Sequence, residues 1–336
     1  MNRLLDATSF RRSLISWYRQ AGRDLPWRGT TDAYAILVSE FMLQQTQVAA
    51  VIPHYERWMQ RFPSFASVAA APEDEVLHAW QGLGYYRRPL NLRRCAQIIV
   101  ETYQGCFPRS VAVMGKLPGV GRYTAAAVAT FAFNQSVPVV EANITRVLAR
   151  LFNLRLAVDT SHGRKALWRR ATELLPKREA RTYNSALMDL GALICTARPN
   201  CPFCPVQSLC RANQPSHLPL RKARPPIKVR TENHGLAIKR GRVLLEQSKD
   251  RWRGMWILPR LTNVARKRRP LHVSQFPFTN HRIRLIVFPQ PATKRSIKSR
   301  RRWFSFAELG SIPLPSPHRR ALELLLRRSH KMIATP

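Results

Sequence analysis

LPGVGR (Leu117–Arg122) leads directly into the Ala-rich run YTAAAVATFAF (Tyr123–Phe133), and the junction has the pattern of a tight turn followed by a helix. Gly119 and Gly121 permit a tight turn around Val120, and the alanines after it predict a helix. Such a turn exposes backbone N–H groups at the start of the helix, where a phosphate group can bind. A Gly-x-Gly turn alone is weak evidence, because a plain turn between two helices has the same composition.

The sequence on both sides of this turn has the pattern of a helical domain. From Asp6 to about Ala212, apolar residues recur at spacings of three and four, as they do on one face of a helix. Helix starts are predicted at Ser64 and at Asp159, whose side chains can cap a helix. Helix stops are predicted at a series of prolines: Pro26, Pro53, Pro63, Pro72, Pro108, Pro118, Pro138 and Pro176.

The periodicity changes after a Pro-rich, basic segment at residues 213–230, which we interpret as a linker. Beyond it, His234–Gln247 predicts two short strands around Arg240-Gly241. His281–Phe288 predicts a further strand with alternating residues. The apolar residues that share one side of it are Ile283, Leu285 and Val287.

The end of the chain completes a second, smaller domain. Pro317–Arg328 predicts a closing helix, and the basic runs Arg266–Arg269 and Lys294–Arg302 predict exposed loops. We therefore expect a mainly α domain at residues 1–212, joined by the linker to an α+β domain at residues 231–336.

The composition is strongly basic. Lys and Arg number 56 against 19 Asp and Glu, which gives a formal net charge of +37. A protein this basic usually binds a polyanion, because neutralising phosphates releases condensed counterions. A solubility surface, or adaptation to an acidic or hot setting, would explain the charge as well.

The sequence contains no candidate for a membrane span or a secretion signal. Met1–Arg12 lacks a long apolar stretch, and no uncharged apolar run approaches about 18 residues. We therefore expect a cytoplasmic protein without a membrane partner. In that compartment its cysteines are expected to be thiols or metal ligands rather than disulfides.

Two apolar stretches that lack basic residues each contain a carboxylate. No Lys or Arg occurs from Gly29 to Glu56, around Glu40, or from Tyr123 to Thr145, around Glu141. A carboxyl group in apolar surroundings has a raised pKa, which suits a general acid near neutral pH. Enzymes that cleave a glycosidic bond usually carry two such acids. From spacing alone, helix capping, a surface position or pairing with a distant Arg explains both acids equally well.

Glu40 also belongs to a polar stripe. Glu40, Gln44 and Gln47 fall at positions i, i+4 and i+7 of a predicted helix. Gln side chains can donate and accept hydrogen bonds and can fill the space left by an extruded base. An ordinary solvated face of this chain would more often carry Lys, so the stripe predicts a surface that faces DNA.

Four of the six cysteines crowd into one segment. Cys195, Cys201, Cys204 and Cys210 form the pattern C-x5-C-x2-C-x5-C. Four thiolates in so short a segment can enclose a 4Fe–4S cluster or a zinc ion. Zinc ribbons usually show two close pairs, whereas here a single close pair has wider gaps on both sides, which favours iron–sulfur. Four unliganded buried cysteines are the weaker interpretation.

Together these segments resemble the adenine DNA glycosylase (MutY) family, within the endonuclease III helix-hairpin-helix superfamily. The matches follow the family's order across nearly all of residues 10–212. They are LPWR (Leu25–Arg28), SEFMLQQTQVAAVIPHYERW (Ser39–Trp58), GLGYY (Gly82–Tyr86), LPGVGRYTAAA (Leu117–Ala127), NITRVLAR (Asn143–Arg150) and the cysteine segment. WRGMWILP (Trp252–Pro259) and TNHRI (Thr279–Ile283) are similar, more weakly, to the family's Nudix-like C-terminal domain.

The resemblance implies roles in catalysis. Glu40 matches the acid that protonates adenine, and Glu141 occupies the position of the family's catalytic Asp, which stabilises or captures the oxocarbenium ion. Asn143 matches the Asn beside that acid. Tyr123 matches a tyrosine near the reacting sugar and stands where lyase-active relatives carry the Lys that forms a Schiff base. Tyr cannot form that imine, so strand cleavage is not expected.

The resemblance also implies contacts with DNA. Gln44 and Tyr85 match residues that wedge into the base stack, and Arg28 matches the edge of the adenine pocket. Asn280 and His281 stand in the loop that reads 8-oxoguanine opposite the adenine, where they can hydrogen-bond a base edge.

The sequence departs from the family pattern at several positions. Glu141 replaces Asp, which adds a methylene, and Ala142 beside it replaces Gly. Ser185 stands where the family generally has a Gln or Glu that contacts adenine. The first cysteine spacing is one residue shorter than usual, and Thr279-Asn280-His281 replaces a Phe-Ser-His loop.

The expectation is a monofunctional DNA glycosylase that removes adenine mispaired with 8-oxoguanine or guanine from duplex DNA in base excision repair. We expect a 4Fe–4S cluster, with zinc as the lesser alternative, and a monomer at the bacterial nucleoid. Two alternatives stay open. One is a glycosylase for another base, such as mispaired thymine or an oxidised pyrimidine, and the other is a DNA-binding relative impaired in catalysis.

Overall fold

The computed structural model describes residues 6–223, 225–262, 264, 268–292 and 300–333, with side chains as far as residue 327. The chain divides into two compact units. The described residues of 1–56 and 98–223 form the first unit, and those of 57–97 and 224–336 form the second. The predicted division into residues 1–212, 213–230 and 231–336 stays a prediction.

Helices make up most of residues 6–223, as the sequence predicted. In chain order they are α1 (Ala7–Ala21), α2 (Ala33–Leu43), α3 (Val48–Arg61), α4 (Phe65–Ala70), α5 (Glu73–Ala79), α6 (Arg87–Tyr103), α7 (Val111–Met114), α8 (Arg122–Phe133), α9 (Ala142–Leu151), α10 (Ser161–Leu174) and α11 (Ala180–Asp189). A π-helical turn, Leu190–Ile194, continues α11 towards the cysteine segment. In the parts of the chain that the structure describes, no helix is both long and apolar enough to cross a bilayer.

Side-chain caps begin several of these helices, because an oxygen on the residue before a helix can accept its unpaired N–H groups. Ser64 caps α4 as predicted. The cap of α10 is Thr160, one residue after the predicted Asp159. Asp32 caps α2 by accepting a hydrogen bond from Tyr34 N at 2.9 Å.

Two predictions near α2 are wrong. Glu40, Gln44 and Gln47 do not share one helix, because α2 ends at Leu43 and the chain turns at Gln45, whose φ is 58°. Pro53 does not stop a helix and lies inside α3. Its missing N–H removes one backbone hydrogen bond, and burial of neighbouring apolar side chains offsets that loss; those side chains are Val51 and Tyr55.

Helix α2 positions the candidate site. Every residue from Tyr34 to Met42 is buried, which is typical of a helix that is apolar on all sides and lies inside a protein. It packs against α8. This packing places Glu40 of α2 near Tyr123 of α8.

The second unit contains two β-sheets and helix α12 (Ser316–Ile333). The strands are β1 (Lys228–Leu236), β2 (Ile238–Lys239), β3 (Arg242–Gln247), β4 (Trp256–Ile257), β5 (His272–Phe278), β6 (His281–Pro289) and β7 (Arg301–Ser305). One sheet has the order β1-β6-β5, with β1 parallel and β5 antiparallel to β6. In the other sheet, β3 pairs with β2, β4 and β7.

The predicted turn at Arg240-Gly241, the strand at 281–288 and the closing helix are confirmed, but His234–Leu236 end β1 of the other sheet and do not belong to the predicted pair of strands. Arg240 and Gly241 form the turn between β2 and β3 with φ values of 48° and 69°, the geometry of a two-residue hairpin turn. The side chains predicted to share one side of β6 are all fully buried, and they are Ile283, Leu285 and Val287. The predicted closing helix is α12.

One prediction for the two basic runs is wrong. Arg301 and Arg302, predicted in an exposed loop, belong to β7, because they pair with Glu246 and Leu245 of β3. Arg268 and Arg269 are exposed as predicted. Arg300 is also exposed. The remaining residues of the two basic runs, 266–267 and 294–299, lie outside the described residues.

The predicted linker is more ordered than its composition suggests. Residues 228–230 begin β1. In the earlier part of the linker, Leu220 O accepts from Val158 N at 2.9 Å and Lys222 N donates to Asp159 Oδ1 at 3.0 Å. These hydrogen bonds attach its first part to the first unit, because backbone groups of a Pro-rich segment can still pair with a neighbouring loop.

Candidate active site

A cavity of about 500 Å³ opens in the first unit. It is lined from α2, from α8 and from the start of α9, and it gathers all the residues predicted to be catalytic together with two predicted to contact DNA. Those residues are Glu40, Tyr123, Glu141, Asn143, Arg28 and Gln44.

Glu40 is the most deeply placed acid of the cavity. Its side chain is 4% exposed, and its Oε2 atom is buried without a hydrogen-bond partner among the described residues. Burial raises the pKa of Glu40 from 4.5 to about 7, and the charge of Glu141 adds to that effect. A hydrogen bond from Tyr123 and the charge of Arg28 act in the opposite direction. A carboxyl group with this pKa can hold a proton at neutral pH and release it to a base.

Tyr123 supports Glu40 from α8. Its hydroxyl group hydrogen-bonds to the Glu40 carboxyl group. Burial, followed by the charges of Glu40 and Glu141, raises the pKa of Tyr123 well above its ordinary value. Tyr123 therefore keeps its proton and acts as a hydrogen-bond donor to Glu40.

Glu141 caps helix α9 and also lines the cavity. Its Oε2 accepts from Asn143 N and its Oε1 accepts from Ile144 N, each at 2.7 Å. Burial raises the pKa of Glu141, while these backbone hydrogen bonds lower it. The capping role that the sequence left open is thus present, and it fixes the carboxylate at the cavity wall.

Asn143, two residues after Glu141, is connected to the cysteine segment by Arg146, a residue for which the sequence predicted no role. Arg146 Nη2 donates to Asn143 Oδ1 at 2.7 Å and to Gly191 O at 2.6 Å. Arg146 Nε donates to Cys195 O at 2.7 Å. Hydrogen bonds of Arg146 therefore connect the cavity wall with the first cysteine of the segment.

A buried acid holds Arg28 at the rim. Asp189 at the end of α11 is fully buried, and its Oδ1 accepts from Arg28 Nη2 at 3.2 Å and from Arg23 Nη2 at 2.6 Å. Arg28 Nη1 also donates to Tyr18 Oη at 2.8 Å. No local pattern indicated Asp189, because its partners lie more than 160 residues away in the chain.

Ser185 does not line the cavity. It is buried in α11, whose residues in the cavity wall are Arg181 and Met188. Both lie on the same face of the helix as Ser185, at four positions before and three after it, and their longer side chains form the wall. The contact with adenine predicted for Ser185 stays a prediction.

The cysteine segment closes around a second, smaller cavity. Cys195, Cys201, Cys204 and Cys210 are free thiols that line a space of about 40 Å³. Among the described residues, no group of three or more His, Cys, Asp or Glu side chains is placed to hold a single metal ion. Four thiol donors around one common space suit either an iron–sulfur cluster or a zinc ion.

Arg150 forms one side of the cysteine segment. Its side chain is 2% exposed, and its Nη1 lies 3.2 Å from Cys195 Sγ. The same guanidinium donates to backbone oxygens of Thr196 at 2.6 Å and Pro215 at 2.6 Å. No described carboxylate pairs with it, so an anionic thiolate would supply a counter-charge that this buried cation lacks.

The phosphate-binding turn predicted at residues 119–121 has the expected geometry. Gly119 has a φ of 78°, and Gly121 occupies the cap position of α8. A Cβ atom added at Gly121 would meet no described atom within 4 Å. The first N–H groups of α8 also have no side-chain cap from Gly121.

The remaining predicted contacts belong to the second unit. Tyr85 is 42% exposed and has a φ of 49°. Thr279 and Asn280 form the exposed turn between β5 and β6, and His281 is the first residue of β6.

Comparisons with known sequences agree on one family. The model of the "HhH-GPD superfamily base excision DNA repair protein" matches residues 38–173. The adenine DNA glycosylase of Mycolicibacterium smegmatis is 48% identical over 200 residues, which cover 59% of this chain and 67% of that protein. The adenine DNA glycosylase of Rattus norvegicus is 47% identical over 221 residues, which cover 63% of this chain and 43% of the rat protein. The chain thus spans less than half the length of the mammalian relatives it matches.

Solved structures share the helical fold. A thermostable thymine-DNA glycosylase superimposes with a TM-score of 0.57 and 32% identity over 61% of this chain and 94% of that one. A non-covalent endonuclease III–DNA complex superimposes with a TM-score of 0.53 and 24% identity over 62% of this chain and 96% of that one. Because nearly half of the aligned residues are identical across two thirds of the M. smegmatis protein, this chain belongs to the adenine DNA glycosylase family, within the endonuclease III helix-hairpin-helix superfamily.

Proposed function

We propose that this chain excises adenine from duplex DNA by acid-assisted cleavage of the N-glycosidic bond, with Glu40 as the proton donor. One observation carries the proposal. Glu40 is buried at a cavity, its pKa is about 7, and its Oε2 has no partner among the described residues. An unsatisfied buried carboxyl oxygen is costly in a resting protein and is suited to a partner that arrives with the substrate.

The reaction follows from the arrangement of the side chains. The extruded adenine enters the cavity, and protonated Glu40 gives its proton to a ring nitrogen of the base. The bond from the sugar to adenine then breaks, the electron pair leaves with the base, and an oxocarbenium ion forms on the sugar. The Glu141 carboxylate, held by two backbone amides, stabilises this cation. Water adds to the sugar, its proton passes to a carboxylate, and an abasic site is released.

The reaction ends with an abasic site, and no strand cleavage follows. A lyase needs an amine that forms an imine with the opened sugar. The cavity presents Tyr123, whose hydroxyl group hydrogen-bonds Glu40, at the position where lyases of the superfamily carry Lys. The proposed enzyme is therefore monofunctional.

DNA is held by charge and by the turn at residues 119–121. The net charge of +37 and the uncapped N–H groups at the start of α8 suit phosphate groups. We infer that the opposite base is 8-oxoguanine or guanine, read by Asn280 and His281 in a Nudix-like second domain. The support is the exposed position of Asn280 in the turn between β5 and β6.

We infer further that the four cysteines hold a 4Fe–4S cluster, which would fix the cysteine segment and supply an anionic neighbour for Arg150. The support is the common space that the four thiols line and the buried guanidinium beside Cys195. A zinc ion is the alternative.

A panel of duplexes tests the proposal, each with one candidate mispair: adenine, thymine or an oxidised pyrimidine opposite guanine or 8-oxoguanine. Base release is read as alkali-induced strand breakage. We expect breakage at adenine in the wild type and in Glu56→Gln, an exposed acid, and none in Glu40→Gln. Breakage only at thymine would favour a thymine glycosylase, for which the 32% identity to such an enzyme is the supporting observation. Undiminished breakage by Glu40→Gln would remove Glu40 from the mechanism.

A further inference from the structure

We propose that the C-terminal segment at residues 312–319, here called the anchoring segment, positions the loop at residues 82–86, here called the tyrosine loop, so that Tyr85 is presented to DNA. Both segments belong to the second unit. The inference rests on the proposed function and on the expectation, from the resemblance to the family, that Tyr85 wedges into the base stack.

The tyrosine loop has a backbone that needs outside support. Gly82, Gly84 and Tyr85 have φ values of 105°, 69° and 49°. For Tyr85 the left-handed region is unfavourable, and such residues persist only where the surroundings over-determine them. Tyr85 itself is 42% exposed, and its ring centroid lies 5.5 Å from the guanidinium carbon of Arg88.

Part of the support comes from within the loop's own neighbourhood. Arg88 at the start of α6 donates through Nη2 to Leu83 O at 2.9 Å and to Gly84 O at 3.1 Å. Trp80 Nε1 donates to Gly84 O at 3.2 Å. Backbone hydrogen bonds add to this support, because Leu83 N donates to Trp80 O at 3.2 Å and Arg88 N donates to Tyr85 O at 2.9 Å.

The anchoring segment holds both flanks. Before the loop, Gln81 Oε1 accepts from Arg319 Nη2 at 3.0 Å and from Leu314 N at 3.5 Å. At the end of the loop, the hydroxyl group of buried Tyr86 hydrogen-bonds to the Ser316 side chain. Three residues of the anchoring segment, all more than 220 positions away in sequence, thereby contact Gln81 before Tyr85 and Tyr86 after it.

The anchoring segment is itself rigid, which a positioning role requires. Arg319 Nη2 also donates to Leu309 O at 3.1 Å and to Ile312 O at 3.3 Å. Pro313 O accepts from Trp256 N of β4 at 2.9 Å. The guanidinium group of Arg319 thus joins the turn before α12 to Gln81 in one network.

A double-mutant cycle on the full chain tests whether Arg319 acts through Tyr85. The variants are Arg319→Met, Tyr85→Ala and the pair, all in a Glu40→Gln background so that the duplex stays intact. Arg320→Met is the matched control, because it removes the same charge from an exposed position of the same helix. The readout is the Kd for a fluorescent duplex with adenine opposite 8-oxoguanine, and thermal unfolding identifies variants that fail to fold.

We expect Arg319→Met to weaken binding about tenfold when Tyr85 is present and less than about twofold when Tyr85 is Ala, since coupled residues lose additivity. Arg320→Met should have the same small effect in both backgrounds. Equal losses from Arg319→Met in both backgrounds, equal losses from Arg319→Met and Arg320→Met, or no loss from Tyr85→Ala would each overturn the proposal. If Arg319→Met does not fold, Ser316→Ala enters the same cycle, because it removes only the contact with Tyr86.

The cycle separates this inference from the proposed chemistry. The cycle measures DNA binding and never base release. If the chain binds the duplex but does not excise adenine, the glycosylase proposal fails, and the binding data still test the role of Arg319.

Discussion

Glu40 of α2 and Glu141 at the start of α9 line the same cavity, and the two acids are held in opposite ways. Glu40 is buried with its Oε2 unpaired among the described residues, whereas both oxygens of Glu141 accept backbone hydrogen bonds at 2.7 Å. Hydrogen bonds from backbone amides favour an ionised carboxylate, and desolvation without partners favours a protonated one. Burial raises the pKa of both acids, and at Glu141 the backbone amides oppose that effect, which suits the proposed roles of Glu40 as proton donor and Glu141 as anion.

The first prediction concerns the pH dependence of base release. Since burial raises the pKa of Glu40 to about 7, the acid is protonated below that pH and ionised above it. The single-turnover rate constant for adenine release should be constant below about pH 7 and fall about tenfold per pH unit above it. Quenched reactions on a labelled duplex over this range measure the profile, and a rate that rises with pH through 7 would contradict the assignment.

The second prediction concerns stability. The pKa of folded Glu40, about 7, lies above its ordinary value of 4.5, so the folded chain binds this proton more tightly than the unfolded chain. Stability therefore falls as pH rises from 4.5 to 7 and changes no further above 7 on account of this group. One pKa unit is worth about 1.4 kcal/mol, so the loss is about 3 kcal/mol.

Glu40→Gln cannot ionise, so it should gain about that amount relative to wild type between pH 4.5 and pH 8. Urea denaturation of both proteins at the two pH values measures the gain. Glu56→Gln, at an exposed position, should show no comparable pH-dependent gain. A gain for Glu40→Gln that is the same at both pH values would mean that the carboxyl group titrates normally in the folded chain.

The third prediction separates the charge of Glu141 from its capping role. Glu141→Gln keeps the length of the side chain and one acceptor for the α9 amides but removes the charge that stabilises the oxocarbenium ion. Base release should slow about a hundredfold or more, while stability falls by less than about 1 kcal/mol. Because the charge of Glu141 helps to raise the pKa of Glu40, the descending limb of the pH profile should also move to lower pH.

Thr160→Ala is the matched control for this variant. Thr160 caps α10 by accepting from Gly163 N at 2.9 Å and does not line the cavity. It should lose about 1 kcal/mol of stability with an unchanged rate of base release. If the two variants slow the reaction equally, Glu141 acts only as a helix cap.

Much of this site was predictable because it depends on local chemistry. Glu40 and Glu141 stood out as carboxylates in apolar stretches without Lys or Arg, and the structure brings both to one cavity. The turn at Gly119 and Gly121 was predictable from the two glycines and the Ala-rich run after them, whereas its binding of phosphate was not, since a plain turn between helices has the same composition. Such features can be predicted from residues that lie close together in the sequence.

The features that were missed depend on distant partners or on where a helix stops. The end of α2 at Leu43 was not predicted, because Gln44 and Gln45 are good helix formers and only the turn that follows shows the break. The ion pair of Arg28 with Asp189 joins residues 161 positions apart. Arg150 had one usable signal, a charged residue inside the apolar run VLARLF, which indicates burial with specific partners.

The fourth prediction concerns the position of Tyr123. Tyr123→Lys places an amine at the cavity wall, where it can attack the sugar carbon after the base has left. The variant should form some covalent complex with a substrate duplex in the presence of borohydride, seen as a shifted band on a denaturing gel. Tyr123→Phe and the wild type should form none. A covalent band with the wild type would show that another amine already serves as the nucleophile and that the enzyme is not monofunctional.

The fifth prediction concerns Arg150 and the cysteine segment. Arg150 is buried and donates to backbone oxygens of Cys195, Thr196 and Pro215. Arg150→Met keeps much of the volume but removes the donor to Thr196 O, one donor each to Cys195 O and Pro215 O, and the positive charge beside Cys195 Sγ. Buried acceptors that lose their donors are costly, so the loss of stability should be about 3 kcal/mol or more.

Cluster content distinguishes a local role of Arg150 from a general loss of stability. If a 4Fe–4S cluster occupies the cysteine segment, Arg150→Met should lower iron per chain and the charge-transfer absorbance of the cluster at temperatures where the helices remain folded by circular dichroism. Arg198→Met is the control, because it removes a charge from an exposed position of the same segment and should keep both iron and stability. Full iron content in Arg150→Met would show that the thiolates need no buried cation, and the guanidinium would then serve only to bind the backbone of the segment.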